Sequence, residues 1–436
     1  MSTYKLAYTG QQIDAGLDAA FAAAPQSTTY KKSEVDASQA AQNESITSIQ
    51  ASVDALRLMM GATVYGFRID KNNSDPETRV EYLYDAVGMT PARMNYTTGV
   101  FDYGSWGNAW FITGNNPCAL KFDGTVDYYL DPDDYSKKAD GTASDVSDSS
   151  YAGNFMASMP TVWVRRWEDE RYSYYAFADK QINSSFKACA HDAGDGTINA
   201  MIYLPMFEGT IIDGKLRSIA DVNPTANELI ADCKNAAEAC GTGWQIWDWA
   251  KYNLIVDLLT LISRSTNSQE SFGYGRVASS KIKTGTADSG RFYGTADKTH
   301  AVKIFHVENF WGNCWNYMSG INLISGQYVY KMARPYSTVP DSSYVYSGLY
   351  APATGIPISY TVGDFGSLPK IVGGSSTTYF CDRFYSFATD DRIGKFGGSY
   401  SGGVDCGAYT LGLHFLTNSL SDGTVGSPCY NAPHST

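Results

Sequence analysis

Two adjacent acid pairs, Asp133–Asp134 and Asp390–Asp391, are the first residues to weigh for chemistry. Glycoside cleavage needs two carboxylates flanking one bond. Neighbours along a strand point to opposite faces, so neither pair presents both carboxylates to one bond, and both read as loop acids. The five histidines, at 191, 300, 306, 414 and 434, stand in no readable Ser/Asp or Cys arrangement. His306 and His414 fall in strand-like runs, where a histidine belongs to core or surface more often than to a general base. Neither a Gly-x-Ser-x-Gly elbow nor a phosphate-cradling loop occurs. Eight cysteines (118, 189, 233, 240, 314, 381, 406, 429) are scattered without a CxxC pair. They lack metal-site spacing, and without an export signal a disulfide framework is not expected, so they read as buried thiols. Asp70 to Asp75, with Glu81 beyond, loosely matches a calcium loop. Its sixth position is Asp75 rather than Gly, Pro76 follows, and a strand precedes it, so the required turn fails. No catalytic residue, metal or cofactor is therefore assigned.

Recognition chemistry is better represented. Between residues 376 and 431 lies a dense set of Thr, Tyr, Asp, Ser and Asn on Gly-rich turns. Tyr, Ser, Asn and Gly together build adaptable binding surfaces, and ordinary β-loops use the same residues. The candidate contacts are Tyr379, Asp382, Arg383, Tyr385, Tyr400, Asp405 and Tyr409, with Trp315 and Tyr317 as neighbours. Their expected role is stacking and hydrogen bonding.

Composition bounds what can carry such a surface. The chain has 436 residues, 43% apolar and 18% charged, which is enough for a sizeable core. Its 32 Tyr and 9 Trp suit recognition through contact area, or a Tyr-rich β core. The net charge of −12, without a basic run, argues against nucleic acid. The N-terminus has no apolar run of signal-peptide length. The most apolar stretch, Leu254 to Ile262, is short and interrupted by Asp257, so no membrane insertion is expected. The chain reads as cytoplasmically made and soluble.

Residues 1–60 differ from the rest. Ile13, Leu17 and Phe21 fall four apart on one helical face, which Pro25 ends. After a linker, Val35, Ile46, Ile49, Val53, Leu56 and Met60 form a heptad seam, with Gln39 and Gln42 at the earlier positions. So narrow a stripe needs partner helices, either the chain's own globular part or identical subunits; the Gln layers favour self-association. Residues 61–160 read as a β-rich intermediate part. Thr63 to Ile69 is a strand there, and Thr78 to Ala86 a short helix. In 161–436 come a hairpin (Thr161 to Trp167, Arg171 to Ala178), a helix pair (from Asn223, then Trp244 to Ser263) and many short strands. The expected class is α+β.

Three segments in order resemble the C-type-lectin-like fold in its formylglycine-generating-enzyme branch, which includes the variable proteins of diversity-generating retroelements and many phage tail proteins. They are Gly241-Thr-Gly-Trp-Gln-Ile-Trp-Asp-Trp-Ala-Lys-Tyr252, Val307-Glu-Asn-Phe-Trp-Gly-Asn-Cys-Trp315, and Arg392-Ile-Gly-Lys-Phe-Gly-Gly-Ser-Tyr400 with the strands after it. Tyr400 stands where the family usually has Trp. The branch's oxidase activity implies two nearby cysteines after the Gly-Gly-Ser hairpin; only Cys406 lies in that window, so the activity is not expected. The opening Tyr8-Thr-Gly-Gln-Gln-Ile13 is similar to the start of many phage tail-fibre subunits. The resemblance implies a virion tail protein that contacts other phage tail proteins through residues 1–60 and forms a homotrimer. It also implies binding of a host cell-surface receptor, a glycan or protein, through a lectin-like domain at 161–436. The alternative is a tailspike depolymerase that cleaves host surface polysaccharide.

Overall fold

The computed structural model describes residues 61–287, 289–387 and 390–433. The helical attachment and oligomerisation region expected at 1–60 lies outside them. The described residues from Thr63 onward form one compact unit.

Alternating apolar and polar residues give a four-stranded antiparallel sheet with spatial order Val80–Tyr84, Val64–Asp70, Tyr172–Ala178, Trp163–Glu168. Phe67 and Ile69 enter the core, while Arg68 between them pairs outward with Glu81 at 2.7 Å. The last two strands are the hairpin anticipated from sequence. The segment expected as a helix at Thr78 to Ala86 is instead the edge strand, with Val80 opposite Ile69. Its backbone gains a ladder of inter-strand hydrogen bonds that a helix of that length would forgo.

A seven-stranded sheet follows, in the order Trp244–Ile246, Pro428–Tyr430, Met201–Pro205, Gly153–Pro160, Pro117–Lys121, Val126–Asp131, Asp134–Lys138. A third sheet orders Val345–Tyr350, Gln327–Tyr330, Trp315–Ile324, Arg392–Phe396, Leu411–Phe415 and Phe384–Ser386, with Thr424–Val425 alongside Trp315–Ile324. The helix Trp249–Ser263 is buried along its whole length. Asp248 caps it by accepting from the Lys251 amide at 2.9 Å, and Arg264 ends it in the left-handed region. Trp247 packs on Phe310 and Phe396 at 5.6 and 5.4 Å between ring centroids, tying the start of the helix to the third sheet. Asp257 on the helix meets Arg166 of the first sheet at 2.7 Å, both side chains nearly inaccessible.

The expected α+β class, with a C-type-lectin-like helix pair, is corrected by this architecture. The described residues are β-rich, with 26 strands and four α-helices, of which only Trp249–Ser263 exceeds nine residues. Gly241 and Gly243 adopt φ of 135° and 97°, and Trp244–Ile246 leaves this turn as a strand paired with Pro428–Tyr430. The preceding helix starts at Ile230 rather than Asn223, because Asn227 takes a left-handed φ of 62° and donates its amide to Ser421. Tertiary strand pairing overrides the local helical pattern in both places.

Candidate binding surface

The third sheet gathers residues that are far apart in sequence. Tyr317, Lys395, Gly412 and Tyr385 are successive Cα partners across four adjacent strands. Trp315 lies two residues before Tyr317, on the same face. Its ring meets Tyr385 edge-on at 5.6 Å and His414 at 5.8 Å, and Tyr385 and His414 are 5.1 Å apart. A Cβ on Gly412 would stand 3.1 Å from the Trp315 ring and 3.0 Å from that of His414. The missing side chain therefore lets the three rings close over the strand. All three are half-buried, so each presents an edge or face to solvent.

Polar groups rim these rings. Arg383 Nε lies 2.8 Å from Asp405 Oδ2, and the guanidinium sits 5.9 Å from the Tyr385 centroid. Arg392 pairs with Asp390 at 2.7 Å, donates to the His414 carbonyl at 3.2 Å, and lies 5.0 Å from the exposed ring of Phe387. Leu416 and Leu420, also exposed, follow on the next loop.

Beneath the rings lies Lys395, fully buried, its Nζ 3.2 Å from Thr424 Oγ1 and 5.1 Å from the Trp315 centroid. Burial pushes this amine down to about 6. His414 is pushed down to about 3, first by desolvation and then by Lys395 and Arg392, so its ring stays neutral at physiological pH. An unfolded lysine keeps its proton to about pH 10.4, so between pH 6 and there the unfolded chain binds more protons and folding becomes more favourable as pH rises. The cost of burying Lys395 is thus full at and below about pH 6 and vanishes above the unfolded value. Lys395→Met is expected to stabilise the protein by about 1–3 kcal/mol at pH 7, with a smaller gain at pH 9.5, read from urea unfolding. A gain that grows with pH would mean the amine is charged in the fold.

The nine residues singled out by sequence divide. Trp315, Arg383, Tyr385 and Asp405 come together as described. Tyr400 adjoins through a loop: Trp315 donates its amide to Gly423 at 2.7 Å, and the Tyr400 hydroxyl lies 3.4 Å from Asp422 Oδ2. Tyr379 is half-buried elsewhere, its ring 5.1 Å from the Arg79 guanidinium. Three assignments are corrected because their side chains are enclosed. Tyr317 is buried and donates to the Glu228 carbonyl at 3.1 Å. Asp382 is buried, accepts from the Tyr409 amide at 2.9 Å and from Ser268 Oγ at 3.3 Å, and is pushed up to about 8 by burial. Tyr409 bonds the Thr260 hydroxyl and packs on Phe380 at 5.0 Å. These three hold the surface loops in place and offer nothing to an external ligand. His414, Lys395, Arg392 and Phe387 are the participants that sequence reasoning missed. The alternating run Leu411 to Phe415 carried a signal for His414, since it faces the same way as Gly412.

Glu208, Asp134 and Asp70 have structural partners. Glu208 is buried, accepts from the Asn309 side chain at 3.0 Å and the Cys314 amide at 3.0 Å, and is raised to about 8 by burial. Asp134 pairs with Lys137 at 2.8 Å, and Asp70 with Arg171 at 2.8 Å. Among the described residues, no group of three or more His, Cys, Asp or Glu is placed to hold a metal ion. The eight cysteines are free thiols, all buried except the half-buried Cys189.

No protein-family model matches the chain, and no curated protein matches it in sequence.

Proposed function

We propose that this chain is a bacteriophage tail adhesin that binds a host cell-surface receptor through the surface around Trp315, Tyr385 and His414. The observation that carries the reading is the three-ring group left half-open above a buried Lys395 and rimmed by the Arg383–Asp405 and Arg392–Asp390 pairs. Half-exposed aromatic rings beside oriented polar groups supply contact area at low entropic cost, as binding surfaces require. The placement on a phage tail and the homotrimer rest on the similarity of Tyr8 to Ile13 to tail-fibre openings, and self-association on the heptad seam at 35–60. Three copies engaging together would multiply a weak single-site affinity.

The test is adsorption of the labelled full-length chain to a panel of bacterial strains. The double change Trp315→Ala/Tyr385→Ala is expected to weaken binding to a recognised strain at least about 100-fold, as loss of two aromatic anchors does. Tyr409→Phe, confined to the buried loop support, should bind like the unchanged chain. Equal loss in both would reduce the rings to a structural role. New reducing ends released from host polysaccharide would replace adhesion by depolymerase activity.

A further inference from the structure

We infer that the ligand of this surface is an uncharged glycan, a conclusion that rests on the adhesin reading and narrows it. The charges around the rings lean acidic, and the two arginines beside them are already paired. Arg383 is held by Asp405 at 2.8 Å and Arg392 by Asp390 at 2.7 Å, while Lys281 Nζ approaches the Asp422 carbonyl at 3.3 Å. Lys395 is enclosed under Trp315 and does not reach solvent. Against these cations stand four carboxylates, Asp390, Asp391, Asp405 and Asp422, all exposed except the half-buried Asp405. A sialic or uronic acid would bring its carboxylate into this acidic rim, where both ring-side arginines are already paired, on a chain of net charge −12.

The same pairs suit hydroxyl groups. Arg383 and Asp405 form an ion pair, with guanidinium N–H donors on one side and carboxylate lone pairs on the other. A sugar hydroxyl both donates and accepts, so it uses such a pair without needing a countercharge. Trp315, Tyr385 and Phe387 offer apolar surface to the C–H face of a sugar ring. An uncharged ligand gains little from long-range attraction, so binding is expected to be nearly insensitive to salt.

The experiment uses the full-length chain on a bacterial strain that it decorates. Retained protein should change less than about twofold between about 50 and about 500 mM sodium chloride. Mild periodate treatment of the cells, which cleaves vicinal diols, should abolish retention, and protease treatment should leave it intact. A fall of about tenfold or more with salt would show an acidic ligand and overturn the inference while leaving adhesion standing. Loss after protease with survival after periodate would show a protein receptor, again overturning the glycan and sparing the adhesin. Full retention of Trp315→Ala/Tyr385→Ala would remove the surface itself, and both readings with it.

Discussion

Asp257→Ala is expected to lower folding stability by about 3–5 kcal/mol in urea unfolding, the effect of leaving a buried cation without its partner. Asp257 lies on the central helix and Arg166 on the first sheet, with Nη2 2.7 Å from Oδ2 and both side chains almost fully enclosed. Burial raises the Asp257 carboxyl to about 6 even though Arg166 pulls it down, so desolvation is the larger influence. Removing the carboxylate leaves the guanidinium facing the same apolar surroundings with nothing to offset its lost hydration. The pair as a whole is another matter, because taking two charges out of water costs about as much as their attraction returns. Asp257→Leu combined with Arg166→Met should therefore fall within about 1 kcal/mol of the unchanged protein or exceed it. If the single and double changes destabilise equally, the pair is not the connection that matters between helix and sheet.

Gly398→Ala is expected to cost about 2–5 kcal/mol and to disorder the loop from Ser399 to Thr410. Gly398 adopts φ of 77°, and a Cβ there would run into the Cys406 sulfur. The neighbouring Gly397, at φ of 91°, already brings its backbone against the Phe310 carbonyl, which would stand 2.6 Å from an added Cβ. Strain and overlap separate in a double-mutant cycle. Cys406→Ala placed in the Gly398→Ala background should recover the steric share and leave the left-handed backbone penalty of about 1–2 kcal/mol. Circular dichroism and adsorption of the same variants would show whether stability and binding fall together, as they must if this loop positions Asp405. A Gly398→Ala protein within about 0.5 kcal/mol of the unchanged one would mean that the turn relaxes freely.

These outcomes bear on how much the sequence alone disclosed. Thr63 to Ile69 and the hairpin at 161–178 were legible because alternation within a strand is local, and each pairs with a partner close in sequence or strongly patterned. The helix start at Trp244 was not, because its apolar residues fit a helical stripe until the Gly241–Gly243 turn and pairing with Pro428–Tyr430 are known. For the surface, tyrosine content marked the right third of the chain but not which rings stay open. Tyr385 and Tyr409 look alike in sequence. One lies beside Trp315 at the sheet's edge strand, and the other is locked to Thr260 of the central helix. The grouping itself depends on parallel pairing of Phe384–Ser386 with Leu411–Phe415, a contact between segments with no local signature. Asp382 was equally opaque, since only the fold reveals that its carboxyl braces the Tyr409 amide. Gly397 and Gly398 both take left-handed angles that only glycine adopts without strain.

The strand Pro428–Tyr430 sits between Trp244–Ile246 and Met201–Pro205 in its sheet. During vectorial synthesis, the earlier strands leave the ribosome long before the piece that separates and joins them. Until it emerges, Tyr203 and Trp244 have no Tyr430 to pair with, and the nascent chain carries two unfinished edges. Synthesis past residue 430 must precede closure, so a ribosome stalled short of residue 428 would hold an aggregation-prone intermediate rather than a finished domain.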